Sequence, residues 1–147
     1  MSTISIPDAE IYSRDSEQVW RSYSIVYDLM GGVPFVKDLR KRHVASMTGL
    51  EYVLDGGCGS GLITQNLAES GAKAVVGIDV NYEMLKVAAD RLKHFEGVAL
   101  YRADVHQLPF LDSTFDGAVS NMVIYFVDDP NKVLLEMARI TRPGGLL

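Results

Sequence analysis

The chain has 147 residues, of which 48% are hydrophobic and 22% charged, and its formal net charge is −5. These values are typical of one globular domain with its own core, so we expect a single domain over residues 1–147. The acidic balance argues against a nucleic-acid partner, because phosphates require clustered Lys and Arg. No run approaches the roughly 20 apolar residues that cross a bilayer, so we expect no membrane partner.

The single cysteine, Cys58, bears on location and metal binding. One cysteine forms no intrachain disulfide, and no signal peptide is visible at the N-terminus, so the sequence indicates a reducing, cytoplasmic location. His43, His94 and His106 have no metal-ligand spacing with one another or with Cys58. We therefore predict no metal site.

Residues 1–50 are expected to form a lead-in of two helices. Asp15 is a candidate N-cap of the first helix, which Gly31 ends. Apolar residues recur along it at helical spacing: Val19, Trp20, Tyr23, Val26, Tyr27 and Met30. Its two tyrosines are expected to pack in the core, with a ligand-covering role as the alternative. Pro34 suits the first turn of the second helix, and Gly49 is its candidate stop.

From residue 51 onwards, short apolar runs alternate with helical patterns. The predicted strands are residues 52–54, 74–80, 98–101 and 115–121. Helical patterns follow the first two strands and end at Gly71 and Gly97, and a last helix opens at Asp129 and Pro130. The alternation predicts a parallel sheet with helices on both faces. We interpret residues 141–145 as a turn, so that the sheet stops at the start of a fifth strand.

Polar side chains stand at or just past the predicted strand ends. They are Asp55, Asp79, Asp104 and Asn121. Right-handed crossovers place the carboxyl ends of parallel strands at one edge of a sheet, where ligands bind near the topological switch point. We therefore expect these four side chains to surround one crevice, although they are far apart in the sequence.

A glycine-rich loop at residues 55–61 follows the first predicted strand. Its glycines allow a ligand to approach the backbone, because no Cβ stands in the way. The candidate contacts are Gly56, Gly57, Gly59 and Gly61. The dinucleotide fingerprint is G-x-G-x-x-G, and Leu62 stands where its last glycine is needed, which argues against a nicotinamide dehydrogenase. A carboxylate at Asp55 would repel a pyrophosphate but favour a ligand that carries an ammonium and a sulfonium.

The next motifs suit an adenosine. Asp79 lies about 20 residues beyond the loop, where an acid accepts hydrogen bonds from both ribose hydroxyls. Val80 and Met84 are candidate apolar walls for the adenine. Asp104 is a candidate acceptor for its exocyclic amine, with the backbone N–H of Val105 facing a ring nitrogen. These positions alone do not distinguish a nicotinamide cofactor from S-adenosylmethionine.

The order of these motifs resembles that of class I S-adenosylmethionine-dependent methyltransferases. The motifs are residues 55–61, 77–79, 103–105 and 142–145. Residues 108–110 with Phe115 and Asp116 resemble the branch that includes ubiquinone and menaquinone C-methyltransferases. The resemblance runs from about residue 52 to the end of the chain. It implies an α/β, Rossmann-like fold and S-adenosylmethionine as the cofactor.

The resemblance also implies roles for single residues. The loop glycines contact the methionine part of the cofactor, Asp79 the ribose and Asp104 the adenine, while Asn121 and Met122 match a segment that passes the sulfonium. We therefore expect methyl transfer to N, O or activated C of a small-molecule acceptor. The alternative is a non-catalytic, cofactor-binding fragment or pseudoenzyme that needs a partner chain.

The general base, if the reaction needs one, is not identified by the sequence. Tyr125 stands where the resembled branch often has His, and His106 is a second candidate. The family's sheet has seven strands, whereas this chain stops at the start of the fifth. A fourth strand left at the sheet edge would expose unpaired backbone groups, which predicts self-association there or marginal stability.

Overall fold

The computed structural model describes residue 26 and residues 28–147. Several predictions for the first helix lie outside these residues, namely those on Asp15, Val19, Trp20, Tyr23 and Tyr27. At the described end of this helix, residues 28–31 are helical. Val26 and Met30 are each more than half exposed, so these two members of the predicted apolar face are not buried in the core.

The second predicted helix is α1, Pro34–Ala45, and Pro34 occupies its first turn as expected. The chain then turns through residues 46–49. Val44 is buried against the sheet, whereas Leu39 on the same helix is about half exposed. Arg40 Nη1 donates a hydrogen bond of 3.0 Å to the carbonyl of Gly31, which ties α1 to the end of the preceding helix.

Strands and helices alternate through the remaining residues. They are β1 Tyr52–Gly56, α2 Leu62–Glu69, β2 Ala74–Asp79, α3 Tyr82–Leu92, β3 Val98–Arg102, β4 Phe115–Val119, a 3-10 turn Ile124–Phe126, α4 Pro130–Ile140 and β5 Thr141–Leu146. Each neighbouring pair of strands is parallel, and the sheet order is β3-β2-β1-β4-β5. The predicted parallel α/β fold is confirmed.

The central strands are buried on both faces of the sheet. Val53 in β1 and Val75 in β2 belong to the apolar cluster that contains residues of α1, α2 and α3. Leu54 and Ile78 belong to a second cluster, with α4. Successive side chains of a strand point to opposite faces, so a strand covered on both sides reads as a continuous apolar run. Helices therefore cover both faces, as predicted.

The sheet order places a topological switch point beside β1. The chain builds outward from β1 through β2 to β3, and then returns to the other side of β1 with β4. The connections that leave the carboxyl ends of β1 and β4 therefore run in opposite directions and leave a crevice between them. The glycine-rich loop follows β1 directly, so it lies at this crevice.

Residues 141–145, interpreted from the sequence as a turn, belong to strand β5. Thr141 pairs with Phe115 and Leu146 with Gly117, so residues 142–145 bulge opposite Asp116 alone. Turn-forming residues are tolerated here because Pro and Gly occur in irregular edge strands. A Cβ on Gly145 would lie 2.5 Å from the carbonyl oxygen of Asp116, so glycine is required for this close approach.

Because β5 pairs with β4, the fourth strand is not a sheet edge. The expectation that β4 exposes unpaired backbone groups is wrong, and the edges of the described sheet are β3 and β5. Arg142 Nη1 lies 2.8 Å from Asp116 Oδ1, which adds an ion pair between β4 and β5. No helix among the described residues is both long and apolar enough to cross a membrane.

Candidate functional site

A cavity of about 370 Å³ lies at the carboxyl ends of the central strands. Its volume falls within the range of small-molecule sites, about 300–1,000 Å³. The residues that line it are Gly57, Gly59, Asp79, Val80, Asn81, Met84, Ala103, Asp104, Val105, His106, Asn121, Met122, Val123, Phe126, Val127 and Asp128. They come from four separate connections, which the parallel topology gathers at one edge.

Most of the residues singled out from the sequence line this cavity. They are Gly57, Gly59, Asp79, Val80, Met84, Asp104, Val105, Asn121 and Met122. Asp55, Gly56 and Gly61 are not among its lining residues. The candidate residues therefore fall into nine that line the cavity and three that do not.

The glycine-rich loop is tied to the end of β2 by its own backbone. The N–H groups of Gly57 and Cys58 each donate to the carbonyl of Ile78 at 2.8 Å. Gly57 has a φ of 75°, and a Cβ there would lie 2.1 Å from Val123 Cγ2. Gly57 is thus required for packing against the segment after β4, in addition to any ligand contact.

Asp79 organises the cavity through both carboxylate oxygens. Oδ2 accepts the N–H of Gly59 and Oδ1 the N–H of Asn81, each at 2.8 Å. Burial raises the pKa of Asp79, and these backbone hydrogen bonds offset part of that rise. The side chain of Asn81 in turn caps α3 by accepting from Met84 N at 3.0 Å. A carboxylate accepts about four hydrogen bonds, so Asp79 can hold the loop and ligand hydroxyls together.

Asp55 lies beneath the loop and does not reach the cavity. It is 1% exposed, and its Oδ2 accepts the hydroxyl of Thr64 at 2.6 Å. Burial raises the pKa of Asp55 to about 7; the charge of Asp79 adds to this rise and the hydrogen bonds from Thr64 oppose it. The carboxyl of Asp55 is thus bonded to α2 and lies outside the cavity lining, and a direct contact with a cationic ligand stays a prediction.

The segment after β4 forms the second wall of the cavity. Met122 has a φ of 65°, a left-handed conformation that is unusual for a side chain other than glycine and that tends to occur at functional sites. Ser120 Oγ donates to the carbonyl of Gly56 at 2.9 Å and joins this segment to β1. Tyr125 is 82% exposed and does not line the cavity, so the structure gives it no position facing a ligand there.

A polar cluster connects the first helix to the loop, and the sequence reading missed it. Asp28 Oδ1 accepts the hydroxyl of Ser60 at 2.6 Å, and its Oδ2 lies 2.5 Å from Arg91 Nη2. Arg91 Nε also donates to the carbonyl of Ser60 at 2.8 Å. The three residues are far apart in the sequence, and although Ser60 belongs to the glycine-rich loop, no motif includes Asp28 or Arg91. The packing of the first helix and of α3 against the loop brings them together.

Other cavity residues were also missed. Asn81 had a visible signal, because an Asn two residues after a strand-ending Asp is a good helix cap. Phe126, Val127 and Asp128 had none, since they belong to an irregular segment whose path depends on tertiary packing. Within the described residues, no group of three or more His, Cys, Asp or Glu side chains could hold a metal ion.

Gly61 is a loop glycine whose replacement should cost stability through both backbone strain and overpacking. Its φ is 81°, and a Cβ would lie 2.9 Å from Leu92 Cδ1 and 3.1 Å from Ala88 Cβ, both buried on α3. Gly71 is a matched control, with a φ of 94° and no heavy atom within 4 Å. We expect Gly71→Ala to cost about 1 kcal/mol of unfolding free energy from strain, and Gly61→Ala about 2–3 kcal/mol, because overpacking is added. Urea denaturation measures both, and equal losses would contradict the packing argument.

Known proteins share this arrangement. Residues 54–147 match the family described as "Methyltransferase domain". Over 96 residues the chain is 41% identical to malonyl-[acyl-carrier protein] O-methyltransferase of Hamiltonella defensa subsp. Acyrthosiphon pisum, covering 65% of this chain and 36% of that protein. Over 148 residues it is 32% identical to demethylmenaquinone methyltransferase of Tropheryma whipplei, covering 95% and 61%.

Solved structures give the same picture. The crystal structure of a SAM-dependent methyltransferase from Aquifex aeolicus superimposes with a TM-score of 0.62 at 27% identity. The similarity covers 70% of this chain and 58% of that one. The match covers about one third of the length of the Hamiltonella defensa relative and about three fifths of the length of the Tropheryma whipplei relative.

Proposed function

Because this chain belongs to the family of methyltransferase domains, we propose that it binds S-adenosylmethionine in the cavity and transfers the methyl group to a small-molecule acceptor. The observation that carries the proposal is the convergence of Gly59, Asp79 and Asp104 on one cavity. The Aquifex aeolicus structure, described as SAM-dependent, supports the choice of cofactor.

The residues present fit an adenosyl sulfonium compound. Asp79 would hold the ribose hydroxyls while it keeps the Gly59 backbone in place. Val80 and Met84 would contact the adenine, and Asp104 would accept from its exocyclic amine. Asn121 and Met122, on the opposite wall, would lie along the methionine part. Asp55, Gly56 and Gly61 lie outside the cavity lining, and their contacts with the cofactor stay a prediction.

The chemistry itself needs little from the protein beyond positioning. S-adenosylmethionine supplies an activated methyl group when bound. The protein must hold an acceptor in line with that group, and orientation alone can lower the barrier by about 7–11 kcal/mol. Of the two base candidates, Tyr125 lies outside the cavity lining, and both ring nitrogens of His106 have partners, Nδ1 with Asp104 and Nε2 with the backbone N–H of Asp129. We therefore propose an acceptor that is already nucleophilic, or one that loses its proton to solvent.

The same absence of a placed base among the described residues favours a second candidate function. A chain that binds the cofactor without catalysis, and that acts with a partner chain, has the same cavity. The two candidates differ in turnover and not in cofactor affinity. The two relatives are also named for different acceptors, which are malonyl-[acyl-carrier protein] and demethylmenaquinone. Both are therefore useful trial acceptors.

Calorimetric titration tests cofactor binding first. We expect S-adenosylmethionine and S-adenosylhomocysteine to bind with micromolar dissociation constants, and NAD to show no heat of binding. Methyl transfer is then measured with radiolabelled S-adenosylmethionine and each trial acceptor. Binding with no turnover on any acceptor would favour the non-catalytic candidate. If the chain binds neither S-adenosylmethionine nor S-adenosylhomocysteine, both candidate functions are overturned.

Further proposals concern organisation and location. We propose that residues 51–147 form the cofactor-binding core and residues 1–50 a helical lead-in, within one domain. A reducing, cytoplasmic location is supported by the free, buried thiol of Cys58. We expect no nucleic-acid partner, in line with the net charge of −5. Self-association stays a prediction, with the edge strands β3 and β5 as its candidate surfaces.

A further inference from the structure

Asp104 and His106 form a hydrogen-bonded pair at the cavity wall, and the proposed function gives a role to Asp104 but none to His106. The backbone N–H of His106 donates to Asp104 Oδ1 at 2.8 Å, and its ring Nδ1 lies 2.7 Å from the same oxygen. The side chain of Asp104 is 57% exposed at the cavity, whereas that of His106 is only 20% exposed. The backbone and the ring of His106 thus both contact Oδ1 of Asp104.

The other ring nitrogen of His106 faces a different element. The backbone N–H of Asp129 points to His106 Nε2 at 3.4 Å, a long contact at the start of α4. Only the neutral tautomer with the proton on Nδ1 suits both contacts, because Nδ1 must donate and Nε2 must accept. The ring therefore lies between the wall that carries Asp104 and the wall that leads into α4, and each contact restricts its rotation.

Asp104 is suited to accept a hydrogen bond from a ligand. Burial alone would raise its pKa, but hydrogen bonds from the backbone and ring of His106, together with the charge of Lys132, lower it below its usual value. The carboxylate is thus ionised and is an acceptor only. A 6-aminopurine offers a donor to such a group, whereas a 6-oxopurine presents a second acceptor, and a site built to accept a hydrogen bond discriminates against a ligand that lacks the donor.

We infer that His106 is a positioning residue for base selectivity: it holds Oδ1 of Asp104 so that Oδ2 faces the exocyclic amine of the adenine. The inference rests on the proposed function, since it assumes that an adenosyl compound occupies the cavity. It assigns His106 a role in recognition, in place of the general-base role considered from the sequence.

Three substitutions separate the two contacts of the ring. The amide nitrogen of His106→Asn can take the place of Nδ1 and keep the bond to Asp104. The longer side chain of His106→Gln reaches the place of Nε2 and serves the Asp129 contact alone. His106→Leu removes both contacts while keeping an apolar body of similar size. His94→Leu, at an exposed position beyond α3, is the matched control.

The test is calorimetric titration of each variant with S-adenosylhomocysteine and its 6-oxo analogue, S-inosylhomocysteine. We expect the wild-type chain to prefer the adenine compound by about 100-fold or more. His106→Asn and His94→Leu should keep this preference, whereas His106→Leu and His106→Gln should reduce it about tenfold through weaker adenine binding alone.

The outcomes separate this inference from the proposed function. If the wild-type chain binds S-adenosylhomocysteine and His106→Leu keeps the full preference, the positioning role is overturned and the proposed function stands. An equal loss for both ligands in His106→Leu would show a merely structural role and would also overturn it. If the wild-type chain binds neither compound, the proposed function and the inference fail together.

Discussion

Replacing Asp79 with alanine will weaken the binding of S-adenosylhomocysteine by about 10- to 1,000-fold, because hydrogen bonds to a charged group contribute about 1.5–3 kcal/mol each. Two effects combine in this loss. The ligand hydroxyls lose their acceptor, and the N–H groups of Gly59 and Asn81 lose the oxygens that hold them in place. Calorimetric titration gives the dissociation constant. Asp90→Ala, on the exposed side of α3, is the control and should change it less than about twofold.

A deoxyribose analogue separates the two effects of the Asp79 substitution. Removing the ligand's 2′-hydroxyl should cost the wild-type chain about tenfold in affinity, and should cost Asp79→Ala little, because the partner is already gone. If the hydroxyl matters equally in both chains, Asp79 acts only by organising the loop. An unchanged dissociation constant in Asp79→Ala would falsify the ribose assignment altogether.

The stability of the chain should fall as the pH rises from about 4 to about 7, and Asp55→Asn should remove much of this fall. Burial raises the folded-state pKa of Asp55 to about 7, whereas an unfolded aspartate titrates near about 3.9. Between these values the folded chain keeps a proton that the unfolded chain has lost, so deprotonation favours unfolding. The contribution of Asp55 to the unfolding free energy is therefore fully present below about pH 4 and is lost above about pH 7.

The size of this effect follows from linkage. Each unit by which the folded and unfolded pKa values differ corresponds to about 1.4 kcal/mol, so Asp55 contributes on the order of 4 kcal/mol across this range. Asp79 contributes with the same sign, because burial also raises its pKa. The informative quantity is thus the difference between wild type and Asp55→Asn.

Urea denaturation at pH 4.5 and pH 8 measures this difference. The amide introduced by Asp55→Asn would stay neutral at both pH values and could still accept from Thr64, so the two unfolding free energies of the variant should lie closer together. Asp90→Asn, at an exposed site, should keep the wild-type difference. Equal pH dependence in wild type and Asp55→Asn would show that the carboxyl of Asp55 is ionised in the folded chain at low pH.

The β1–α2–β2 unit could be predicted because its signals are local. An apolar run, a glycine-rich loop and a second apolar run that ends in Asp79 determine the topology of the unit without distant partners. The fifth strand could not be predicted in this way, because residues 141–145 have the composition of a turn. Pairing with β4 outweighs that local preference, as tertiary contacts often do in sheets.

The site likewise contains residues whose positions follow from local sequence signals and residues whose positions depend on tertiary packing. The positions of Asp79 and Asp104 at the cavity could be predicted, because the carboxyl ends of the strands border the crevice of an open α/β sheet. The burial of Asp55 could not be predicted, since the sequence does not show that the Thr64 hydroxyl of the next helix donates a hydrogen bond to its carboxyl. The cluster of Asp28, Ser60 and Arg91 depends on how α3 packs beside the loop. Contacts of this kind follow from the folded packing and leave no spacing pattern in the chain.

Cys58 gives the chain a built-in kinetic reporter of loop opening. It is the only cysteine of the sequence, it is buried within the glycine-rich loop, and burial raises its pKa well above the usual value. A thiol reagent therefore reacts with it only while the loop is transiently open, so the alkylation rate measures the free energy of that local opening. Ligand that binds only the closed loop should slow the reaction in proportion to its occupancy, without any label being introduced.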